Sequence, residues 1–287
     1  MAEIGRYNTL VISKHTDFGL YLQGGELGEI LLPKRYIPKQ DDLQPGDSLR
    51  VFLYLDSEDR PIATTLRPRA QVGEFASLKV TDVNPVGAFL DWGLPKDVLL
   101  PHGQMRKPLQ PGDWCTVYLY LDNASRRITA STKLDRHLDQ SPPRYRVGEA
   151  VEFLLAERTD LGFKAIIDNR HAGLLHRNEL FRPVRLGMRL SGFIREVRPD
   201  GKLNLTLQAP GKAGADALQS AILNELQNRG GTLPMGDHSD PQTIAELFGC
   251  SKGAFKRAIG GLLKQGQIRL CDRHIELVDG QSVQNDQ

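Results

Sequence analysis

A chain of 287 residues that is 40% hydrophobic and 25% charged has the composition of a folded globular protein, and its length suits roughly two to four small domains. Its formal net charge of +2 excludes a protein that coats nucleic acid with positive surface everywhere, so any phosphate contact must be local. No run approaches the ~20 apolar residues of a membrane span, and Met1 to Leu10 lacks a basic region followed by an apolar run; the chain reads as cytoplasmic, with no membrane partner.

The three cysteines, Cys115, Cys250 and Cys271, are far apart, odd in number and without a CxxC pair. That spacing supports neither a disulfide framework nor a zinc knuckle, and all three read as plain core or surface thiols. His15, His102 and His171 fit no metal geometry, so neither a metal nor any other cofactor is expected.

The dominant signal is an internal repeat. Gly5 and Gly19 stand fourteen residues apart, as do Gly73 and Gly87, and Gly148 and Gly162. Eleven residues beyond the second glycine come Ile30-Leu31-Leu32-Pro33, Val98-Leu99-Leu100-Pro101 and Gly173-Leu174-Leu175-His176, each an apolar strand that ends at a turn-forming or polar residue. Leu43-Gln44-Pro45-Gly46-Asp47 recurs as Leu109-Gln110-Pro111-Gly112-Asp113, with a weaker echo at Leu186-Gly187. A strand follows each turn, at 49–55, 115–121 and 190–197, and the first two run into turns at Asp56 and Asp122. The third passes through Pro199-Asp200-Gly201 into the period-two alternation of 203–207. A five-stranded antiparallel unit closes most economically as a small Greek-key barrel of the oligonucleotide-binding type, since closure removes exposed edges. The predicted fold is therefore mainly β, with three tandem OB-fold barrels at 1–68, 69–138 and 144–208. Asp41-Asp42, beside Lys39 and Gln40, reads as a solvated turn and not a catalytic pair.

Barrels of this kind either bind single strands or scaffold protein contacts. The informative segment is Asp17-Phe18-Gly19-Leu20-Tyr21-Leu22, with counterparts at 85–90 and 160–165. Its glycine is expected to permit a bulge that brings Phe18 and Tyr21 onto one face. Two exposed rings would form a stacking platform, each base stacked there contributing ~1 to 3 kcal/mol whatever its identity. The same rings could instead fill the barrel core. Phe89 has no partner ring, because Val86 stands in the place of Phe18. Trp92 reads either as a further stacking residue or as a turn tryptophan capping the barrel, and Lys164 as a phosphate contact or a solvated strand lysine.

These segments resemble the RNA-binding repeat named after ribosomal protein S-one. The resemblance implies RNA contacts at the aromatic positions flanking the glycine and at a histidine after the next strand: Phe18 and Tyr21 in the first unit, Phe89 in the second, His176 in the third. Pro33 and Pro101 replace that histidine in the first two units, and Leu161 and Lys164 replace the rings in the third. No unit carries the whole set, so each is expected to bind weakly and to depend on its neighbours through effective concentration.

Beyond a predicted linker at 209–214 the pattern changes to helical. Leu218, Ile222, Leu223 and Leu226 form one stripe of a helix spanning 216–229 that stops at Gly230-Gly231. Asp240-Pro241 is an N-cap and first-turn pair opening a second helix that runs to Gly249, and a third begins at Ser251 with a buried stripe of Phe255, Ala258, Ile259 and Leu262. A hairpin follows, 268–270 and 275–278 around Asp272-Arg273, completing a winged helix-turn-helix at 215–280 before a tail at 281–287. Lys252, Lys256, Arg257 and Lys264, with Gly253 and Gly260, are the candidate phosphate-binding residues of the third helix; a solvated face is the alternative reading.

The order of three barrels and one winged helix, with Ser239-Asp240-Pro241, Phe248-Gly249-Cys250-Ser251-Lys252 and Phe255-Lys256-Arg257-Ala258-Ile259-Gly260, is similar to the bacterial conserved virulence factor B family, also called YitL-like. The resemblance implies a cytoplasmic, RNA-binding regulator of gene expression; the stacking rings add the expectation of single-stranded RNA bound with weak sequence preference. The ribosome and duplex DNA are further candidate partners, the latter for a transcriptional regulator that uses the winged helix. An enzyme is not expected: the chain has no phosphate loop, serine elbow, His-Glu zinc helix or rigidly held carboxylate pair.

Overall fold

The computed structural model describes residues 1–39, 43–180 and 183–278. The Asp41-Asp42 turn and the tail at 281–287 lie outside the described residues. The chain is mainly β and divides into two compact units, the first holding two barrels and the second a third barrel with a helical domain.

The first barrel comprises β1 (Tyr7–Thr16), β2 (Gly19–Gln23), β3 (Glu29–Pro33), β4 (Ser48–Leu55) and β5 (Pro61–Thr64), closed in the order β1-β2-β3-β5-β4. The second comprises β6 (Phe75–Asn84), β7 (Gly87–Asp91), β8 (Val98–Pro101), β9 (Trp114–Leu121) and β10 (Ile128–Ser131). The third comprises β11 (Ala150–Thr159), β12 (Gly162–Ile167), β13 (His171–His176), β14 (Arg189–Val197) and β15 (Leu203–Thr206), and all three share one strand order. The units are not wholly antiparallel as expected. β3 pairs with β5, β8 with β10 and β13 with β15 in parallel, because an odd number of strands in a closed ring cannot alternate in direction throughout.

The first glycine of each repeat opens its barrel. Gly5, Gly73 and Gly148 have φ of 81°, 89° and 87°. Each donates its N–H at 2.7 Å across the closing seam, to Leu53, Leu119 and Ile194 respectively. Only glycine takes that left-handed turn without strain.

β4 is buried along its whole second half, and its alternating side chains serve two cores. Val51 and Leu53 point into the first barrel with Ile12, Leu22 and Leu32. Phe52 and Tyr54 belong to the core of the second barrel, with Leu78, Leu90 and Trp92. An apolar strand covered on both faces reads as a continuous run, and Val51-Phe52-Leu53-Tyr54-Leu55 is such a run. Burying each large side chain contributes about 1.5 to 3 kcal/mol, so this one strand joins the two barrels firmly.

In the second unit, α1 (Gly211–Asn228), β16 (Thr232–Leu233), α2 (Pro241–Phe248), α3 (Lys252–Lys264), β17 (Ile268–Leu270) and β18 (Ile275–Leu277) form a winged helix domain whose sheet runs β16-β18-β17. Its core gathers Ile222, Leu226, Ile244, Phe255, Ile259 and Leu262. The Asp240 carboxylate accepts from the N–H groups of Gln242 and Thr243, and Ser251 Oγ accepts from Ala254, so both caps form as the sequence implies. The stretch expected as a linker is helical from Gly211 on. Its alanines are good helix formers, and the tertiary packing of Ile222 and Leu226 anchors the helix they extend. No helix among the described residues is long and apolar enough to cross a membrane.

Candidate nucleic-acid interface

The outward faces of β2, β7 and β12 are built alike. Leu20 and Leu22 are buried in the first barrel, and Ala88 and Leu90 in the second, so period two turns Tyr21 and Phe89 outward, where both remain half-buried. Lys164 is the equivalent outward residue of the third barrel and is half-buried too. Phe18 sits in the turn between β1 and β2 and is 75% exposed; Val86 and Leu161 occupy the same turn and are 61% and 62% exposed. Each barrel therefore presents an apolar side chain at this tip, including the two that sequence reasoning had discounted for lacking a ring.

The expected bulge exists, but not at the glycine. It lies in the preceding strand, at Ser13, Thr81 and Ala156, where the register shifts by one residue. Ser13 Oγ stands 3.1 Å from the Tyr21 carbonyl and 2.9 Å from Glu29; Thr81 Oγ1 stands 3.0 Å from the Phe89 carbonyl and 2.7 Å from Asp97. A small hydroxyl thus pins the strand that carries each ring. The second glycine serves close approach: a Cβ on Gly19, Gly87 or Gly162 would lie 2.1, 2.3 or 2.2 Å from the carbonyl oxygen of Leu32, Leu100 or Leu175. These glycines pair directly with Pro33, Pro101 and His176.

Around Tyr21, Lys14 Nζ sits 4.8 Å from the ring centroid and 2.5 Å from Glu29. The Lys14 and Ser13 hydrogen bonds hold the Glu29 carboxyl below its ordinary range. Phe89 lines a cleft of about 610 Å³ in the first unit, together with Tyr54, Val86, Lys96, Tyr120 and Arg127. Arg127 and Lys96 both engage Asp59, whose carboxyl is lowered chiefly by the Arg127 hydrogen bond. A phosphate could reach Arg127 by displacing that carboxylate. His176 is half-buried and its Nε2 lies 3.1 Å from Asn204 Oδ1, while Asn204 donates to Glu196 at 2.7 Å.

Trp92 touches the wall of the cleft that Phe89 lines but offers it almost no surface. It is 2% exposed, its Nε1 donates to the Lys96 carbonyl at 2.7 Å, and its ring meets Phe52 edge-on at 5.6 Å. A ring enclosed between two barrels cannot receive a base. An exposed tryptophan does exist, and composition gave no hint of it: Trp114, 57% exposed, has the Arg69 guanidinium 5.9 Å from its ring.

On the winged helix domain, Lys256, Arg257 and Lys264 are exposed and Lys252 is half-buried in the first turn of α3. Lys256 lies 3.2 Å from Asp237, an exposed pair of small energetic weight. A Cβ on Gly260 would meet nothing, and one on Gly253 only the tip of Arg257, so backbone is bare beside the cations. Arg257 also lines a cleft of about 900 Å³ with Arg195, Thr206 and Ala254.

Three closed five-stranded barrels, the first two with outward rings, followed by a winged helix, define a protein of nucleic-acid-binding S1 and winged helix domains. The S1 domain family matches residues 4–66 and 72–133, and the CvfB-like winged helix domain matches residues 220–277. The chain belongs to the conserved virulence factor B family. It is 32% identical over 273 residues to the uncharacterised protein YitL of Bacillus subtilis (strain 168), across 92% of this chain and 90% of that one. It is 30% identical over 270 residues to conserved virulence factor B of Staphylococcus aureus (strain USA300), across 87% of this chain and 86% of that one. A crystal structure of a Streptococcus pneumoniae multidomain protein with nucleic acid binding domains is 25% identical and covers 96% of this chain and 98% of that chain, with a TM-score of 0.43.

Proposed function

We propose that this chain is a non-catalytic, cytoplasmic regulator of gene expression that binds single-stranded RNA across its barrels, with little regard to base identity. The observation that carries this reading is the first barrel's pair of accessible rings, Phe18 at the tip and Tyr21 on the outward face, beside the ammonium of Lys14. Stacking supplies affinity without base readout, and nearby cations supply phosphate attraction. Phe89 on the second barrel, and Lys164 and His176 on the third, are the further RNA contacts of this reading. Lys252, Lys256, Arg257 and Lys264 add a basic face on α3. That face also supports a second reading, a transcriptional regulator that holds duplex DNA.

The test is binding of a short labelled single-stranded RNA at low salt, in competition with duplex DNA. The expected result is preference for RNA, and a loss of at least several-fold, about 1 kcal/mol or more, when Phe18→Ala and Tyr21→Ala are combined. Unchanged affinity would remove those rings from the interface. A strong duplex preference would put the winged helix first, and cleavage of the RNA in magnesium would overturn the non-catalytic reading.

A further inference from the structure

We propose that the wing carries a binding site for a zinc-class divalent metal ion, formed by Cys271, His274 and Glu276. The donor atoms of these three half-buried side chains all lie within 4.8 Å of one another. The hairpin register brings them together. The Cys271 N–H donates to the His274 carbonyl at 2.9 Å across the two-residue turn Asp272-Arg273, which sets residues 271 and 274 opposite each other. Glu276 lies two residues further along β18, on the face that His274 shares.

Zinc bonds of about 2.0 to 2.3 Å at tetrahedral angles place neighbouring donors roughly 3.3 to 3.8 Å apart. His274 Nε2 and Glu276 Oε1 are now 2.9 Å apart, so that pair opens slightly on ligation. The sulfur, within 4.8 Å of both other donors, closes to about 3.5 Å, a side-chain rotation of roughly 1.3 Å or less. The donor set decides which metal enters. A thiolate beside an imidazole selects zinc-class ions, whereas calcium and magnesium take oxygen ligands. Cys271 releases its proton to solvent and binds as the thiolate, His274 binds as the neutral imidazole, and water takes the fourth position.

The wing is also where such a cross-link would matter. β17 and β18 are three residues each; Ile268 and Ile275 pack into the domain core, but Leu270 is 36% exposed and the turn carrying Cys271 and His274 lies beyond that packing. The other two thiols do not compete. Burial pushes Cys115 up to about 12 and Cys250 up to about 11, keeping both protonated at neutral pH.

Titration of the full-length chain with cobalt(II) tests the site. The expected result is a thiolate-to-cobalt charge-transfer band that saturates at one ion per chain, disappears in Cys271→Ser and is displaced by zinc. His274→Ala should weaken binding by no less than the roughly 10- to 100-fold lost when even an outer-shell partner of a metal ligand is removed. Zinc should slow amide exchange at Arg269 and Glu276, which face each other across the hairpin, in the native chain and leave it unchanged in Cys271→Ser. Absence of the band, its survival in Cys271→Ser, or wing exchange indifferent to zinc would overturn the proposal.

Discussion

At the scale of single residues, Trp92 and Phe89 separate packing from recognition. They stand three positions apart in the second barrel and line the same cleft, yet Trp92 is 2% exposed and held edge-on to Phe52, whereas Phe89 is half-buried and turned outward. Trp92→Ala should lower the stability of the first unit by about 3 to 5 kcal/mol, read as a fall in the urea midpoint, since it empties space that neither barrel can refill. Phe89→Ala should cost far less stability. A Trp92→Ala protein as stable as the parent would show that the two barrels do not share their core. The enclosure of Trp92 could not be read from its neighbours in sequence, because its packing partner comes from another barrel. The sequence left Tyr21 open between the outward face and the core, and the burial of Leu20 and Leu22 on either side of it decides for the outward face.

At the scale of elements, α3 is the piece whose job is least constrained by its packing. Phe255, Ala258, Ile259 and Leu262 bury one face, and the opposite face carries the exposed Lys256, Arg257 and Lys264. If that face meets nucleic-acid phosphates, replacing all three cations by alanine should flatten the plot of log binding constant against log salt. The slope should fall by about 0.7 for each single-strand phosphate that is no longer neutralised. An unchanged slope would mark it as a solvated face. The caps of α2 and α3 were legible because Asp240 and Ser251 act on backbone groups two or three residues away. The start of α1 at Gly211 was not legible, since the packing of Ile222 and Leu226 overrides the weak local signal of Pro, Gly and Ala.

At the scale of the molecule, the first two barrels act as one body. β4 supplies side chains to both cores, and Asp59 of the first barrel engages Lys96 and Arg127 of the second. The folded protein holds the Asp59 carboxyl below its ordinary value, chiefly through Arg127, so the ionised form is favoured on folding. Its contribution to stability is therefore complete above the unfolded value near about 3.9 and is lost as pH falls through the depressed folded value. Asp59→Asn should be less stable than the parent at neutral pH, and the gap between their urea midpoints should close in acid. A gap that stays constant with pH would show that Asp59 acts through something other than its charge. If the outward rings bind RNA as proposed, a joined pair of barrels lets their weak single contacts add through effective concentration.

The threefold glycine spacing, the strand alternation and the helix caps were settled by the sequence itself, because each depends on chemistry acting within a few residues: left-handed turns, period two, and side chains bonding nearby N–H groups. Those local rules were enough to specify three barrels and a winged helix. Which apolar side chains face solvent, which carboxylate holds Arg127, and the meeting of Cys271, His274 and Glu276 were decided only by tertiary structure. Each is a relation across strands or between barrels, set by register and closure rather than by distance along the chain.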